Sequence, residues 1–225
     1  MADAVLFDMD GILYDSEVQY AKVTERVMRS LGYTGPSEPL YETIGKTSDG
    51  TWQLLFDLLE GNWSRREIET AWVKDNLAHP IDYRAIMFED IPETLETLRE
   101  NGFLMACCSS SKKEVIARSL EAMGIAEYFG FTVSADEIEH PKPAPDIYLL
   151  AAQKLGVPPE NCWVYEDSQI GIEAGKRAGM KVIARREDRF RQNQSGSDYI
   201  VSNAAGMCRL VINERTKSYG KSNQD

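Results

Sequence analysis

Ala4-Val5-Leu6-Phe7-Asp8-Met9-Asp10-Gly11 is the stretch that decides the fold: four apolar residues, then two aspartates one residue apart, then a glycine. A short apolar run closed by turn residues fits a buried parallel strand. Carboxylates at its end stand where an open α/β sheet meets its ligands. Comparable runs recur at Phe103 to Cys108, Phe131 to Val133, Trp163 to Tyr165 and Val182 to Ala184. Helical patterns with glycine stops lie between them, as in Pro92 to Glu100 before Gly102 and Ala144 to Leu155 before Gly156. This alternation predicts an α/β fold built on a doubly wound parallel sheet.

The first strand is not followed by a short crossover. From Ser16 to about Arg84 the pattern is helical, too long for one connection between parallel strands. An inserted helical lobe over 16–83 accounts for it, with helices at Tyr20 to Leu31, Gly50 to Leu59 and Arg65 to Leu77, and leaves 1–15 and 84–225 as the core. Ser111-Lys112-Lys113-Glu114 has the spacing of a capping box opening a helix. Gly171, Gly175 and Gly179, four apart, suit a helix that lies close to a sheet and then stops, and packing suffices to explain them. The tail from Arg215 to Asp225 is polar and is expected to fray.

The 225-residue chain is 43% hydrophobic and 27% charged, enough to bury a full core. Its formal net charge of −11 argues against long-range attraction to nucleic acid or to an anionic membrane, so an anionic substrate must be captured locally. No apolar stretch is long enough to span a bilayer, and Met1 to Phe7 runs straight into carboxylates, so a cytoplasmic protein is expected. The four cysteines form no CxxC pair and read as buried thiols. Only two histidines, His79 and His140, are present, far apart in sequence, which leaves little material for a histidine metal cluster or a Ser/His/Asp triad. The sequons at Asn62 and Asn193 carry no weight without a signal peptide.

Asp8, Asp10, Glu166 and Asp167 end two apolar strands that parallel packing would set side by side. Together they repel one another, and a hard cation such as Mg²⁺ would neutralise them. Ser109 and Ser110 offer hydroxyl and amide donors at another strand end, and Lys142 lies in a proline-stiffened turn, His140-Pro141-Lys142-Pro143. These groups could hold phosphate oxygens.

Asp8-Met9-Asp10-Gly11, Ser109 after an apolar strand, Lys142 in Lys-Pro-Ala-Pro-Asp, and Glu166-Asp167-Ser168 resemble, in order and spacing, the four motifs of the haloacid dehalogenase superfamily. Within it the chain looks most like the phosphatase and β-phosphoglucomutase-like subfamily with a helical cap. The resemblance implies a Rossmann-like core, a cap that closes over the active site, and a small phosphorylated metabolite as substrate. Asp8 would be the nucleophile and Asp10 the general acid and base. Mg²⁺ would be held by the Asp8 carboxylate, the Asp10 carbonyl and Asp167, with Glu166 a further ligand or one step removed, and Ser109 and Lys142 would stabilise the transferring phosphoryl group.

Two departures bear on the acceptor of that group. Mutases of this type carry a histidine ten positions after the general acid and an arginine after the cap's glycine, where this chain has Tyr20 and Ser48. Both favour a phosphatase, with Gly45, Lys46 and Lys74 as candidate substrate contacts in the cap. Other readings fit less well. Gly45-Lys46-Thr47 lacks the earlier glycine of a P-loop, since Leu40 stands there, and the glycine of Asp8-Met9-Asp10-Gly11 comes too early for an EF-hand. An Asp-x-Asp nucleotide-sugar transferase would leave Ser109, Lys142 and Glu166-Asp167 without a role. A binding protein that keeps the fold without turnover is the alternative of another class. The compact plan suggests a monomer.

Overall fold

The computed structural model describes residues 3–43, 48–189 and 193–222, with backbone alone for 48–49 and 218–222. Candidate contacts Gly45 and Lys46 lie outside the described residues. The chain divides into two compact units, 1–14 with 83–225, and 15–82.

In the larger unit, β1 (Ala4–Phe7), β2 (Leu104–Ser109), β3 (Phe131–Ser134), β4 (Cys162–Glu166), β5 (Lys181–Arg185) and β6 (Tyr199–Val201) form one sheet in the order β3-β2-β1-β4-β5-β6. Every pairing is parallel. That is the order of a Rossmann-like sheet, in which the chain winds outward in one direction from β1 and then in the other from β4. Because successive side chains alternate between faces, Ala4, Leu6, Ala106, Cys108, Val164 and Val182 enter one apolar cluster with Ile147, Ala151, Ile172 and Ala174. Those last four belong to α8 (Asp146–Leu155) and α9 (Gln169–Arg177). Phe7 and Tyr165 alternate to the opposite face, where Phe7 meets the rings of Phe129 and Tyr165 edge-on. Gly175 lets α9 lie against the sheet, since a Cβ there would sit 2.7 Å from a Val182 methyl.

The smaller unit holds α1 (Ser16–Ser30), α2 (Glu38–Tyr41), α3 (Ser48–Leu58) and α4 (Arg65–Ala78). Val23, Val27, Met28, Leu40, Leu55, Leu59 and Ile68 form its core. Ser64 and Glu67 cap α4 reciprocally. Arg26 of α1 donates three hydrogen bonds to Asp75 of α4, at 2.8 to 3.2 Å.

Two expectations need correction. The box expected at Ser111 does not form: α7 (Lys113–Met123) starts after Lys112, whose side chain makes no cap. The Ser111 amide instead donates to Ser109 Oγ, and Asp136 accepts from the Lys113 amide. The tail expected to fray from Arg215 is helical as far as Ser222 in α10 (Ala204–Ser222). Arg215 lies over the Phe103 ring, bonds the Asn101 carbonyl and pairs with Asp3, while Met207, Cys208 and Val211 are buried. Strand β6 was not anticipated, being three residues long at the sheet's edge. No helix among the described residues is long and apolar enough to cross a membrane.

The Arg26 bonds hold Asp75 below the usual carboxylate range. A depressed folded-state value gives stability that is present above the unfolded value and is lost as pH falls through the folded one. Asp75→Asn is therefore expected to cost about 1 kcal/mol at pH 7. The gap from the parent protein should close below about pH 4 in denaturant titrations.

Candidate active site

The position of β1 between β2 and β4 brings three strand ends together. Phe7 pairs in register with Cys107 on one side and Tyr165 on the other. The Asp8 amide extends that ladder by donating to the Tyr165 carbonyl at 3.0 Å. Asp8, Ser109 and Glu166-Asp167 thus meet at the carboxyl edge of the sheet where its winding reverses, the usual place for a ligand in such folds.

Lys142 enters this edge from the turn before α8. The His140 amide and ring both bond Asp146, and the Ala144 amide bonds the Pro141 carbonyl, which closes that turn. The Lys142 side chain is only 3% exposed, with Nζ 2.5 Å from Asp8 Oδ1 and 2.9 Å from Glu166 Oε1. The Tyr148 ring, its centroid 5.0 Å from Nζ, covers the ammonium, and the Tyr148 hydroxyl donates to Glu166 Oε1 at 3.4 Å. The two carboxylates differ in their other partners. Glu166 Oε2 accepts from the amides of Asp167 and Ser168, both at 2.7 Å, and from the Ser168 hydroxyl at 3.0 Å.

That difference separates their protonation. Burial works against the charge of both groups, but Lys142 and the Ser168 donors hold Glu166 below its ordinary value. Asp8 gains less, and burial outweighs Lys142 to push it up to about 7. Burial alone would lower Lys142, yet Asp8 and Glu166 raise it well above its usual value, so it stays charged. Lys142 thus supplies part of the neutralisation expected of a bound cation.

Two glycines make room for the acids. Gly11 has φ of +74°, and a Cβ there would lie 2.1 Å from Asp167 Oδ2. The loop after β1 therefore touches the Asp167 carboxylate. At Gly171 a Cβ would lie 1.5 Å from Glu166 Oε1. Read from sequence as packing, this glycine keeps space for Glu166. Ser109 is buried at the end of β2, and Ser110 beside it is exposed. Asp10, half-buried, accepts from the Tyr14 hydroxyl at 2.8 Å. Lys74 is exposed on α4 of the smaller unit.

Sequence reasoning missed Tyr14, Tyr148 and Gln194. Gln194 is buried, donates Nε2–H bonds to the carbonyls of Asp167 at 2.7 Å and Arg185 at 2.6 Å, and accepts from the Glu187 amide at 3.3 Å. It ties the turn after β4 to the turn after β5. Its signal was hidden, because a glutamine in a polar segment looks like any loop residue.

The oxygens of Asp8 and Asp167 suit a hard cation. Among the described residues no group of three or more His, Cys, Asp or Glu side chains is arranged to hold a metal ion. Mg²⁺ does not need one, since it commonly takes one or two carboxylates and completes its octahedron with water and substrate phosphate. The donor set fits Mg²⁺ on those terms. Glu166, with its oxygens engaged by Lys142 and by its own turn, is suited to a place outside the metal's direct ligands.

Residues 5–185 match the family model for haloacid dehalogenase-like hydrolases. A phosphoglycolate phosphatase of Aquifex aeolicus is 29% identical over 93% of this chain and 96% of its own length. A fructose-1-phosphate phosphatase of Escherichia coli is 31% identical over 80% of this chain and 94% of its own. The fold is shared with the crystal structure of a β-phosphoglucomutase from Clostridium difficile, at a TM-score of 0.73 and 22% identity, covering 97% of this chain and 99% of that one.

Removing the ammonium leaves Asp8 and Glu166 facing each other without a counter-charge. Lys142→Met is expected to lower stability by about 3 kcal/mol at pH 8. Asp8, already raised, would rise further in the variant. Its protonation relieves the repulsion, so the penalty should shrink toward pH 6 when both proteins are melted in parallel.

Proposed function

The chain belongs to the haloacid dehalogenase-like hydrolase family, and from that premise we propose that it is a Mg²⁺-dependent phosphatase acting on a small phosphomonoester through an aspartyl-phosphate. The observation that carries this reading is Asp8 at a buried strand end with one carboxylate oxygen 2.5 Å from the Lys142 ammonium. A nucleophile of this kind needs an aimed oxygen and nearby positive charge, because phosphoryl transfer depends on positioning and electrostatics.

In the first half-reaction an Asp8 oxygen bonds to phosphorus as the bond from phosphorus to the leaving oxygen breaks. Asp10 gives its proton to that oxygen. In the second, water attacks phosphorus, its proton passes to Asp10, and the bond between phosphorus and Asp8 breaks to release phosphate and restore the enzyme. Lys142 and the Ser109 hydroxyl offset charge on the phosphoryl oxygens as they move. Bound Mg²⁺, held by Asp8, Asp167 and the Asp10 carbonyl, would supply further positive charge at the phosphoryl group. Glu166 keeps Lys142 charged and in place, and Gln194 steadies the turn that carries Asp167.

The helical unit of 15–82 is the cap in this reading and selects the substrate, with Gly45, Lys46 and Lys74 as its proposed contacts. The named substrates of the relatives, phosphoglycolate and fructose 1-phosphate, define the class to screen first. Tyr20 and Ser48, standing where mutases carry histidine and arginine, favour water as acceptor.

Mg²⁺-dependent phosphate release from p-nitrophenyl phosphate is the expected activity. Chelation should abolish it, and Asp8→Asn should lower kcat by at least about 10³-fold. Full activity in Asp8→Asn would contradict the nucleophile. Conversion of β-glucose 1-phosphate to glucose 6-phosphate, given its bisphosphate activator, would replace the phosphatase by a mutase. An absence of turnover on every phosphorylated metabolite tried would favour the binding protein.

A further inference from the structure

Tyr14 is a tyrosine 1% exposed to solvent at the end of the loop that carries the two aspartates. Its hydroxyl donates to Asp10 Oδ1 at 2.8 Å. The phenol is held on several sides. Its ring meets that of Tyr83 edge-on, with centroids 5.3 Å apart, and its carbonyl accepts from the Gly11 amide at 3.0 Å. Tyr14 also bridges to Asp10 in parallel and to Met87 in antiparallel fashion, which ties the loop to the segment where the chain re-enters the larger unit. The Phe88 amide donates to the Leu13 carbonyl at 3.2 Å and extends that link.

A carboxyl group that must give up a proton and take one back has two oxygens, and an unrestrained one presents them interchangeably. Here the Tyr14 hydroxyl engages one of them. The bond is strongest when Asp10 is a carboxylate, because a hydrogen bond to a charged acceptor is roughly twice as strong as one between neutral groups. Asp10 becomes a carboxylate when its proton has gone to the leaving oxygen. The contact therefore favours the step in which the bond from phosphorus to the leaving oxygen breaks.

We propose that Tyr14 is a positioning residue that holds the Asp10 carboxyl by Oδ1 in the orientation from which it protonates the leaving group. The inference rests on Asp10 being the general acid, as set out above. It assigns to Tyr14 a role in leaving-group protonation and none in contacting the substrate.

Tyr14→Phe removes the hydroxyl and keeps the ring against Tyr83. The test compares this variant with the parent on p-nitrophenyl phosphate, whose leaving group needs little protonation, and on phenyl phosphate, whose leaving group needs it. A loss in kcat/KM of about tenfold on phenyl phosphate, with less than about threefold on p-nitrophenyl phosphate, is the expected result. Equal losses on both substrates would reduce Tyr14 to a structural support and overturn the proposal, as would no loss on either. Asp10→Ala, run alongside, separates the acid role of Asp10 from the positioning role of Tyr14. If that variant turns over phenyl phosphate like the parent, the reading of Asp10 as the acid fails. If it is inactive while Tyr14→Phe shows no dependence on the leaving group, only the inference about Tyr14 fails.

Discussion

The Lys142 ammonium lies between two carboxylates in a place almost closed to water, and much of the larger unit is arranged around the cost of keeping it there. Breaking a buried ion pair by removing one partner costs several kcal/mol, about 3–5 in measured cases, because the remaining charge has lost its water as well as its partner. The parallel sheet sets Asp8 and Glu166 at neighbouring strand ends. The turn before α8 delivers Lys142, Tyr148 covers it, and Gly171 leaves space for Glu166. Each feature has a separate local cause, and all four converge on the same three charges.

The triad is also unequal, and the inequality gives it a use. Glu166 is held as an anion by Lys142 and by the amides and hydroxyl of its own turn, and acts as the standing partner of Lys142. Asp8 is the less committed carboxylate, pushed up to about 7 by burial. In the proposed function a substrate phosphoryl group bringing negative charge to this edge would meet a lysine whose charge does not depend on Asp8 alone. In the proposed reaction Asp8 would leave the ion pair to bond phosphorus while Glu166 keeps the ammonium in position.

Much of this was legible in the sequence because strongly apolar runs and their punctuation are local signals. Five of the six strands follow from runs such as Val5-Leu6-Phe7 and Trp163-Val164-Tyr165, and the candidate site motifs of Asp8, Ser109 and Glu166-Asp167 sit at strand ends. Tyr199 to Val201 escaped notice because an edge strand of three residues, none of them fully buried, has no contrast to read. Arg215 looked like part of a solvated tail because its partners, Phe103, Asn101 and Asp3, lie more than a hundred residues away. Tyr14, Tyr148 and Gln194 were hidden for a related reason. Each acts through one hydroxyl, ring or carboxamide, and no periodicity marks the acceptor it will meet. The geometry around Gly171 is of the same kind, since spacing alone does not distinguish a glycine that faces a sheet from one that faces a carboxylate.

The central claim is that Asp8 carries the phosphoryl group covalently during turnover. The most direct measurement quenches the enzyme in acid during turnover of acetyl phosphate with Mg²⁺, reduces the trapped acyl phosphate with borohydride, and maps the peptides by mass spectrometry. The account predicts reduction to homoserine at position 8 and at no other carboxylate. An unmodified Asp8 during active turnover, or reduction at Asp10, Glu166 or Asp167 instead, would contradict it.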